Sequence, residues 1–272
     1  MRIICALRYT ESSLHPCDTI GGSIIILLIL LTTILLPIQS VIRLLNLSSS
    51  YVVPMFYHRA VLKLLGIKIK IIGTPSINAS LVISNHASWI DIFIISSIIP
   101  TSFVAKNDVS KWIFVSYLAK LQKTIFIDRN SPKKLTETSD IIKNRLLNHE
   151  NVTIFPEGTS TDGNKILPFK SSIFMICEKI RGSEIKIQPI SIAYKKYNGL
   201  TMGRTHRQLI AWYGDMDLLS HLYGIIKAGI FDIEVTFHNK IDISENKTRK
   251  EIAKECENLV RLGFQKSLNR GV

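Results

Sequence analysis

Hydrophobic residues dominate one long stretch near the beginning of the chain. Residues 20–42 are almost wholly apolar, contain no charged residue and include only one strongly polar side chain, Gln39. About 20 apolar residues are enough for a helix to cross the hydrocarbon core of a bilayer. A cleavable signal peptide is the competing interpretation, but no small-x-small cleavage site follows the stretch. The pattern therefore predicts a membrane helix, transmembrane or deeply embedded, with Pro37 as a candidate kink.

The chain that follows this apolar stretch is basic and then amphipathic. Its basic residues outnumber those of residues 1–19 and are Arg43, Arg59, Lys63, Lys68 and Lys70. By the positive-inside rule, the rest of the protein lies in the cytoplasm. Residues 51–66 are typical either of an interfacial helix, which would form a two-helix element with 20–42, or of an ordinary surface helix. We expect residues 1–66 to form a membrane-anchoring segment.

Strand and helix patterns alternate from residue 67 onwards. Short apolar runs predict strands at 67–73, 80–84, 102–106, 124–128, 151–155, 186–193 and 231–238. Periodic segments predict helices at 89–99, 108–121, 132–148, 169–180, 215–228 and 248–268. Ser131-Pro132 and residues 248–251 carry signatures of helix starts. This alternation predicts one α/β domain over residues 67–272, with a mixed, mainly parallel sheet flanked by helices.

The net charge indicates which partners suit the protein, and the cysteine content indicates which compartment suits it. The chain has 34 Lys and Arg against 21 Asp and Glu, a net charge of +13 that attracts nucleic acid, anionic lipid or phosphorylated substrates. No basic helix, zinc-ligand spacing or aromatic interleaving supports nucleic-acid binding, so a membrane surface is the better partner. The four cysteines are widely separated, which indicates neither a zinc site nor a disulfide framework and fits a reducing, cytoplasm-facing compartment.

A polar stretch, Ser84–Asp91, carries the first candidate chemistry. It lies between an apolar run at 79–83 and a periodic segment at 92–99, at the kind of strand end where open α/β sheets bind ligands. His86 can act as a general base near neutral pH, and Asp91 is placed to accept from its second ring nitrogen. This is the His–Asp half of a serine-hydrolase triad without the serine, so a substrate hydroxyl would take the serine's place. The alternative is a chance spacing in which Asp91 only caps a helix.

Three further blocks follow this stretch, namely Ile125–Arg129, Phe155–Thr159 and Ile187–Ile192. In this order and together with Asn85-His86, four residues and Asp91, they resemble the glycerophospholipid acyltransferase family. The best-known members of that family are the 1-acylglycerol-3-phosphate (lysophosphatidate) acyltransferases. The resemblance covers roughly residues 50–240. Each block is weak by itself, whereas their ordered occurrence is a specific signal.

The resemblance implies a role for each block. His86, oriented by Asp91, takes the proton from the hydroxyl of the acceptor lipid. Arg129 holds the acceptor's phosphate, and Lys106 adds positive charge to the same pocket. Without the other blocks, an internal ion pair is the favoured interpretation of Arg129, and Lys106 fits a solvated strand end.

The Phe155–Thr159 block is assigned by the resemblance to acceptor binding, through Glu157, Gly158 and Thr159. Glu157 would bind hydroxyls of the acceptor, and Gly158 would let backbone N–H groups approach it. A surface turn with an exposed glutamate is the structural alternative.

The implied reaction is transfer of a fatty acyl group to the free sn-2 hydroxyl of 1-acylglycerol-3-phosphate, which gives phosphatidic acid. The implied donor is an acyl carrier protein or coenzyme A thioester, and no cofactor or metal is expected. The implied location is the bacterial inner membrane, with the catalytic domain on its cytoplasmic face.

Four alternatives remain open, and one of them is glycerol-3-phosphate as the acceptor, which the resemblance disfavours because the chain is short for that branch of the family. The segment after Thr159 lacks the Arg that many family members carry, and the forms of residues 158–163 and 212–216 resemble a bacterial subgroup that includes both lysophosphatidate and lyso-ornithine lipid acyltransferases, so lyso-ornithine lipid is an alternative acceptor. A thioesterase would need a nucleophile, and Ser84 and Ser88 do not stand in a G-x-S-x-G elbow. A non-catalytic lipid-binding membrane protein of the same fold is the alternative from a different class.

Overall fold

The computed structural model describes residues 16–47, 50–77, 79–127, 132–243 and 246–269. The helices are α1 (Pro16–Leu44), α2 (Val52–Leu64), α3 (Ile90–Ile98), α4 (Ile113–Leu121), α5 (Pro132–Leu147), α6 (Met175–Lys179), α7 (Arg204–Arg207), α8 (Leu218–Ala228) and α9 (Arg249–Asn269). The strands are β1 (Ile67–Ile72), β2 (Ser80–Ser84), β3 (Thr101–Lys106), β4 (Ile125–Ile127), β5 (Asn151–Ile154), β6 (Lys186–Tyr197), β7 (Leu200–Thr201), β8 (Phe231–Phe237) and β9 (Ile241–Asp242). Short 3-10 helices occupy Asn107–Lys111 and Ser171–Phe174.

The strands form one mixed sheet with the order β1-β8-β6-β2-β5-β3-β4. Neighbours along this order are parallel except β6 and β8, and the short strands β7 and β9 pair antiparallel to β6. The predicted mixed, mainly parallel sheet flanked by helices is therefore confirmed. Since β2, β5 and β6 are parallel neighbours, the loops that leave β2 and β5 emerge side by side at the same edge of the sheet.

Strand β2 shows why its sequence is a continuous apolar run. Val82 contributes to one hydrophobic layer, together with residues of α2, α3 and α8. Leu81 and Ile83 point to the opposite layer, which is built with residues of α5, α6 and α9. Successive strand residues face opposite sides of a sheet, and here helices cover both sides. The centre of the sheet is consequently buried throughout, and the polar residues that follow β2 stand out as the end of the strand.

Helix α1 includes the predicted apolar helix. Gly21–Leu44 is long and apolar enough to cross a membrane, by length and composition. Its neighbour α2 buries Val61 and Leu62 in the domain's hydrophobic layer and contacts α1, where the hydroxyls of Thr32 and Tyr57 lie 3.0 Å apart. Helix α2 thus packs on α1 and on the domain at once, and the predicted division of the chain at residue 66 stays a prediction.

Two predicted helices are wrong in extent. The helix expected at 108–121 is a 3-10 turn followed by α4, because Trp112 between them has an extended backbone. The helix expected at 169–180 begins with an extended Lys170, whose N–H donates to Pro156 O (3.0 Å), and becomes α-helical only at Met175. Contacts with distant loops override the local helical pattern in this second case.

The start of the last helix follows the prediction. The hydroxyl and backbone N–H of Thr248 both donate to Glu251, and the N–H of Glu251 donates back to the hydroxyl of Thr248. This reciprocal pattern is a capping box. The corresponding start predicted at Ser131-Pro132 includes a residue outside the described ranges.

Asn151 joins the beginnings of three strands and gives a test of the fold. Its Oδ1 accepts from Ser80 N (2.9 Å), and its Nδ2 donates to Ile77 O and Pro100 O (both 3.0 Å).

Because each buried group left unpaired costs about 1–3 kcal/mol, Asn151→Ala should lower the free energy of unfolding by at least about 2 kcal/mol. Chemical denaturation in detergent measures this, and the exposed Asn148→Ala variant should change stability by less than about 0.5 kcal/mol. Equal stability of the Asn151→Ala and Asn148→Ala variants would contradict the role of Asn151 in joining the strands.

Candidate active site

The loop after β2 is folded around the carboxylate of Asp91. Its Oδ2 accepts from Nδ1 of His86 (2.9 Å), from Ala87 N (2.7 Å) and from Ser88 N (2.9 Å). The Asp91 side chain is 1% exposed. The structure therefore brings the predicted His–Asp pair together. A carboxylate that accepts at Nδ1 fixes the tautomer, so the neutral ring carries its proton on Nδ1 and Nε2 is the basic nitrogen.

Tyr194 completes the set of donors to Asp91, and sequence reasoning missed it. Its hydroxyl, contributed by β6, donates to Oδ1 of Asp91. Burial and the neighbouring negative charge of Asp91 raise the pKa of Tyr194 well above its ordinary value, so the hydroxyl keeps its proton and remains a donor. No local signal marks this residue, because 103 positions separate the two partners and only the pairing of β2 with β6 makes them neighbours.

The ring of His86 is held between an aromatic side chain and the solvent. It stacks on Phe155 with ring centroids 4.0 Å apart and an interplanar angle of 14°, and Phe155 in turn stacks on Phe103. The His86 side chain is 17% exposed. The ring is thus fixed in orientation and still reachable from outside.

Glu157 holds the main chain of His86. Its Oε1 accepts from His86 N (2.8 Å) and its Oε2 accepts from Leu167 N (2.6 Å). The residue is 2% exposed, so the carboxylate joins two loops inside the protein. This geometry gives Glu157 a positioning role, and its predicted contact with acceptor hydroxyls stays a prediction.

The same burial changes the acidity of Glu157. Burial raises the pKa of Glu157 to about 7, against the opposing effect of the two N–H bonds, and the negative charge of Asp91 adds to the rise. The carboxyl is therefore partly protonated at neutral pH.

The loop 158–161 closes around the carbonyl of His86. Gly158 has φ +76°, a left-handed conformation that glycine adopts without strain, and it lets the chain turn back beneath the ring. Thr161 N then donates to His86 O (3.1 Å), whereas Thr159 is exposed. On the other side Trp212 N donates to Ala87 O (2.8 Å). Two segments that are distant in sequence, the loop 157–161 and the chain at Trp212, therefore fix the backbone around His86.

Asn85 links the motif to the sheet. Its Oδ1 accepts from Ile192 N (2.8 Å) and its Nδ2 donates to Ile192 O (3.0 Å). The side chain replaces a pair of ladder hydrogen bonds where β2 ends, so its role in the structure is to anchor the loop on β6.

The predicted anion-binding residues are only partly described. Lys106 is exposed at the end of β3, opposite Ile127 of β4. Arg129 lies outside the described residues, and its role with the acceptor's phosphate stays a prediction. Within the described ranges, no group of three or more His, Cys, Asp and Glu side chains is arranged to hold a metal ion.

Fold and site together define a class of enzyme. A His–Asp pair stands at the carboxyl edge of a mixed α/β sheet, and no serine or cysteine side chain of the described residues is hydrogen-bonded to the His86 ring. Such a base acts on a proton that the substrate brings. The arrangement is therefore that of a general-base site, suited to removing a proton from a hydroxyl group or a water molecule.

Comparison with known proteins identifies the family. The family model named Acyltransferase matches residues 68–193. A lyso-ornithine lipid O-acyltransferase of Brucella abortus is 37% identical over 220 residues, which are 79% of this chain and 82% of that one. A 1-acyl-sn-glycerol-3-phosphate acyltransferase of Neisseria gonorrhoeae is 28% identical over 184 residues, 68% of this chain and 69% of that one. The chain belongs to this family of lysolipid acyltransferases, as its motifs predict.

A solved structure shows the same fold. The crystal structure of the 1-acyl-sn-glycerophosphate acyltransferase PlsC from Thermotoga maritima superimposes with a TM-score of 0.59 at 21% sequence identity. The match covers 78% of this chain and 77% of that one. The two proteins therefore share the mixed sheet and its flanking helices.

Removing the hydroxyl of Tyr194 tests the donor set of Asp91. We expect Tyr194→Phe to lower kcat about tenfold, because a hydrogen bond to a charged group contributes about 1.5–3 kcal/mol and part of it orients the His–Asp pair. Tyr197→Phe is the matched control, since its hydroxyl lies on the same strand but donates to Ala228 O (2.7 Å). Steady-state acyl transfer measures both variants. Full activity of Tyr194→Phe would contradict the role of this donor.

The raised pKa of Glu157 predicts how stability depends on pH. The unfolded chain ionises Glu157 near its ordinary pKa of 4.5, whereas the folded protein does so near 7. Between these values only the folded state keeps the proton, so the free energy of unfolding falls as pH rises, by roughly 3 kcal/mol in total. Glu157→Gln should remove this fall in denaturation curves taken at several pH values. The exposed Glu184→Gln variant should keep this fall with pH. A Glu157→Gln variant that also keeps the fall would contradict its assignment to Glu157.

Proposed function

We propose that the protein transfers a fatty acyl group from an acyl thioester to the free hydroxyl of a lysolipid held in the membrane. The observation that supports this most is the 2.9 Å contact between His86 Nδ1 and Asp91 Oδ2, in a site where no serine or cysteine side chain of the described residues is hydrogen-bonded to the ring. The base is ready to accept a proton at Nε2, and the substrate hydroxyl is the group that supplies one.

The reaction balances without a covalent enzyme intermediate. Nε2 of His86 removes the hydroxyl proton while the hydroxyl oxygen attacks the thioester carbonyl carbon. A C–O bond forms, the C–S bond breaks, and the imidazolium returns the proton to the leaving thiolate. Asp91 stabilises the imidazolium formed in between, and its own charge is held by Tyr194 and two backbone N–H groups.

Lyso-ornithine lipid is the acceptor we favour. The relative with this acceptor in its name is 37% identical over 82% of its length, against 28% for the relative named for 1-acyl-sn-glycerol-3-phosphate. The segments 158–163 and 212–216, whose form resembles a bacterial subgroup with both acceptors, each donate to the backbone of the loop after β2, through Thr161 N to His86 O and Trp212 N to Ala87 O. Substrate selection by these segments would act directly beside the base.

Lysophosphatidate is the second candidate, favoured by the Ile125–Arg129 block. A guanidinium binds a phosphate or a carboxylate through the same fork of donors, so Arg129 suits either acceptor. The donor in both cases is an acyl carrier protein or coenzyme A thioester, and the net charge of +13 would attract such acidic partners as well as anionic lipid. Basic residues after the apolar helix favour the cytoplasmic face of the inner membrane.

Acyl transfer to two competing acceptors tests the proposal. Membranes that contain the protein are incubated with a labelled acyl thioester and with lyso-ornithine lipid and lysophosphatidate in parallel. His86→Asn should lower product formation about 10²–10⁴-fold, because the general base is lost. His149→Asn is the control, since His149 is exposed in a turn with φ +60°, a conformation that Asn tolerates.

The outcomes test the reaction and the identity of the acceptor lipid separately. Product mainly from lyso-ornithine lipid, lost only in His86→Asn, is the expected result. Product from lysophosphatidate alone would retain the mechanism and replace the acceptor. Transfer to neither lipid would contradict the proposal and favour the non-catalytic lipid-binding alternative.

A further inference from the structure

Arg207, the last residue of the short helix α7, is a buried cation. The residue is 9% exposed, and its guanidinium donates from Nε to Tyr194 O (3.3 Å), from Nη1 to Asn164 Oδ1 (3.0 Å) and from Nη2 to Met202 O (2.8 Å). All three acceptors are neutral oxygens. Because each bond that is lost leaves a buried polar group unpaired, these contacts hold the side chain in one conformation.

Two of these acceptors belong to segments that hold the His–Asp pair. Tyr194 carries the hydroxyl that donates to Asp91, and the guanidinium binds the main chain of this same tyrosine. Asn164 lies three residues after Thr161, whose N–H donates to His86 O (3.1 Å). One side chain therefore joins a donor to the buried carboxylate and the loop that binds the backbone of His86.

The segment from Thr161 to Asn164 is also packed against α7. A Cβ placed on Gly163 would lie 3.5 Å from Cβ of Arg207, so the loop passes directly over this residue. The N–H of Gly163 donates to Thr161 Oγ1 (3.3 Å), and Asn164 Nδ2 donates to Arg204 O (3.0 Å). A displacement of the guanidinium is consequently transmitted along the loop to Thr161.

The main chain of Arg207 leads to a second contact with the loop after β2. Arg207 O accepts from Ala211 N (3.0 Å), and the next residue, Trp212, donates its N–H to Ala87 O (2.8 Å). The turn that begins at Arg207 thus ends at the backbone beside His86. Side chain and main chain of one residue are linked to both sides of the loop that carries the ring.

We propose that Arg207 is a positioning residue for acyl transfer, an inference that rests on the proposed function. Its guanidinium acts through Tyr194, which donates to Asp91, and through Asn164, whose loop binds the main chain of His86. A planar guanidinium presents its N–H groups in fixed directions, so it can bind acceptors in separate segments at once. The same side chain therefore fixes the carboxylate that orients the ring and the backbone that carries it.

Arg207→Lys tests this role while keeping the charge. An ammonium donates from a single nitrogen and cannot reach all three acceptors. We expect kcat for acyl transfer to fall about tenfold with KM changed less than about twofold, because a small displacement of the base slows the chemical step without removing a binding contact. Arg204→Lys is the matched control, since Arg204 is exposed on the same helix and its carbonyl, which Asn164 binds, is retained.

Asn164→Ala gives a second variant on the other side of the same contact. By itself it should lower kcat about threefold, and combined with Arg207→Lys it should add less than about twofold, because both substitutions break one bond. Multiplied effects on kcat in the double variant would overturn the proposal, since they would show that the two residues act independently.

Nitrogen NMR of the His86 ring separates a failure of this inference from a failure of the proposed function. Arg207→Lys should shift or broaden the His86 signals and leave those of the exposed His149 unchanged. A lowered melting temperature with unchanged kcat and unchanged His86 signals would mark a purely structural residue and overturn the proposal. Changed His86 signals in a protein that transfers no acyl group, even before substitution, would contradict the proposed function and still support the positioning of the ring by Arg207.

Discussion

The carboxylate of Asp91 is the interaction on which the site depends. Four donors converge on it: the His86 ring, two backbone N–H groups and the hydroxyl of Tyr194. A buried charge of this kind is tolerated only when it is fully hydrogen-bonded, and here every donor also has a fixed position in the fold. The contacts that offset the free-energy cost of burying Asp91 thus also orient the His86 ring.

The parallel pairing of β2 with β5 and β6 makes this arrangement possible. It brings the loops after β2 and β5 to one edge, so that Glu157 reaches the backbone of His86, and it places Tyr194 of β6 beneath Asp91. The fixing of this loop and the ionisation of Glu157 are coupled as a result. The two N–H bonds to Glu157 hold the loop, whereas burial keeps its carboxyl partly protonated at neutral pH.

The fold and the principal pair could be predicted from the sequence for physical reasons. The continuous apolar run of β2 and the polar residues that end it are local signals of a buried strand, and the spacing of His86 and Asp91 is local too. The contacts of Tyr194 and Trp212 with the loop after β2 could not be predicted, because they depend on strand pairing and loop packing over more than 100 residues. Glu157 was found by resemblance, but its contact with the His86 backbone is visible only in three dimensions. The broken helix at 169–180 illustrates the same limit, since a contact with Pro156 decides where it begins.

The tautomer of His86 is the measurement that tests this account most directly. Nitrogen NMR on protein labelled at its histidines, with the His86 signals assigned by their loss in His86→Asn, distinguishes the two ring nitrogens. The account predicts a neutral ring with the proton on Nδ1, held by Asp91, and an unprotonated Nε2. A neutral ring with its proton on Nε2 would contradict it, because the nitrogen that is meant to take the substrate proton would already be occupied.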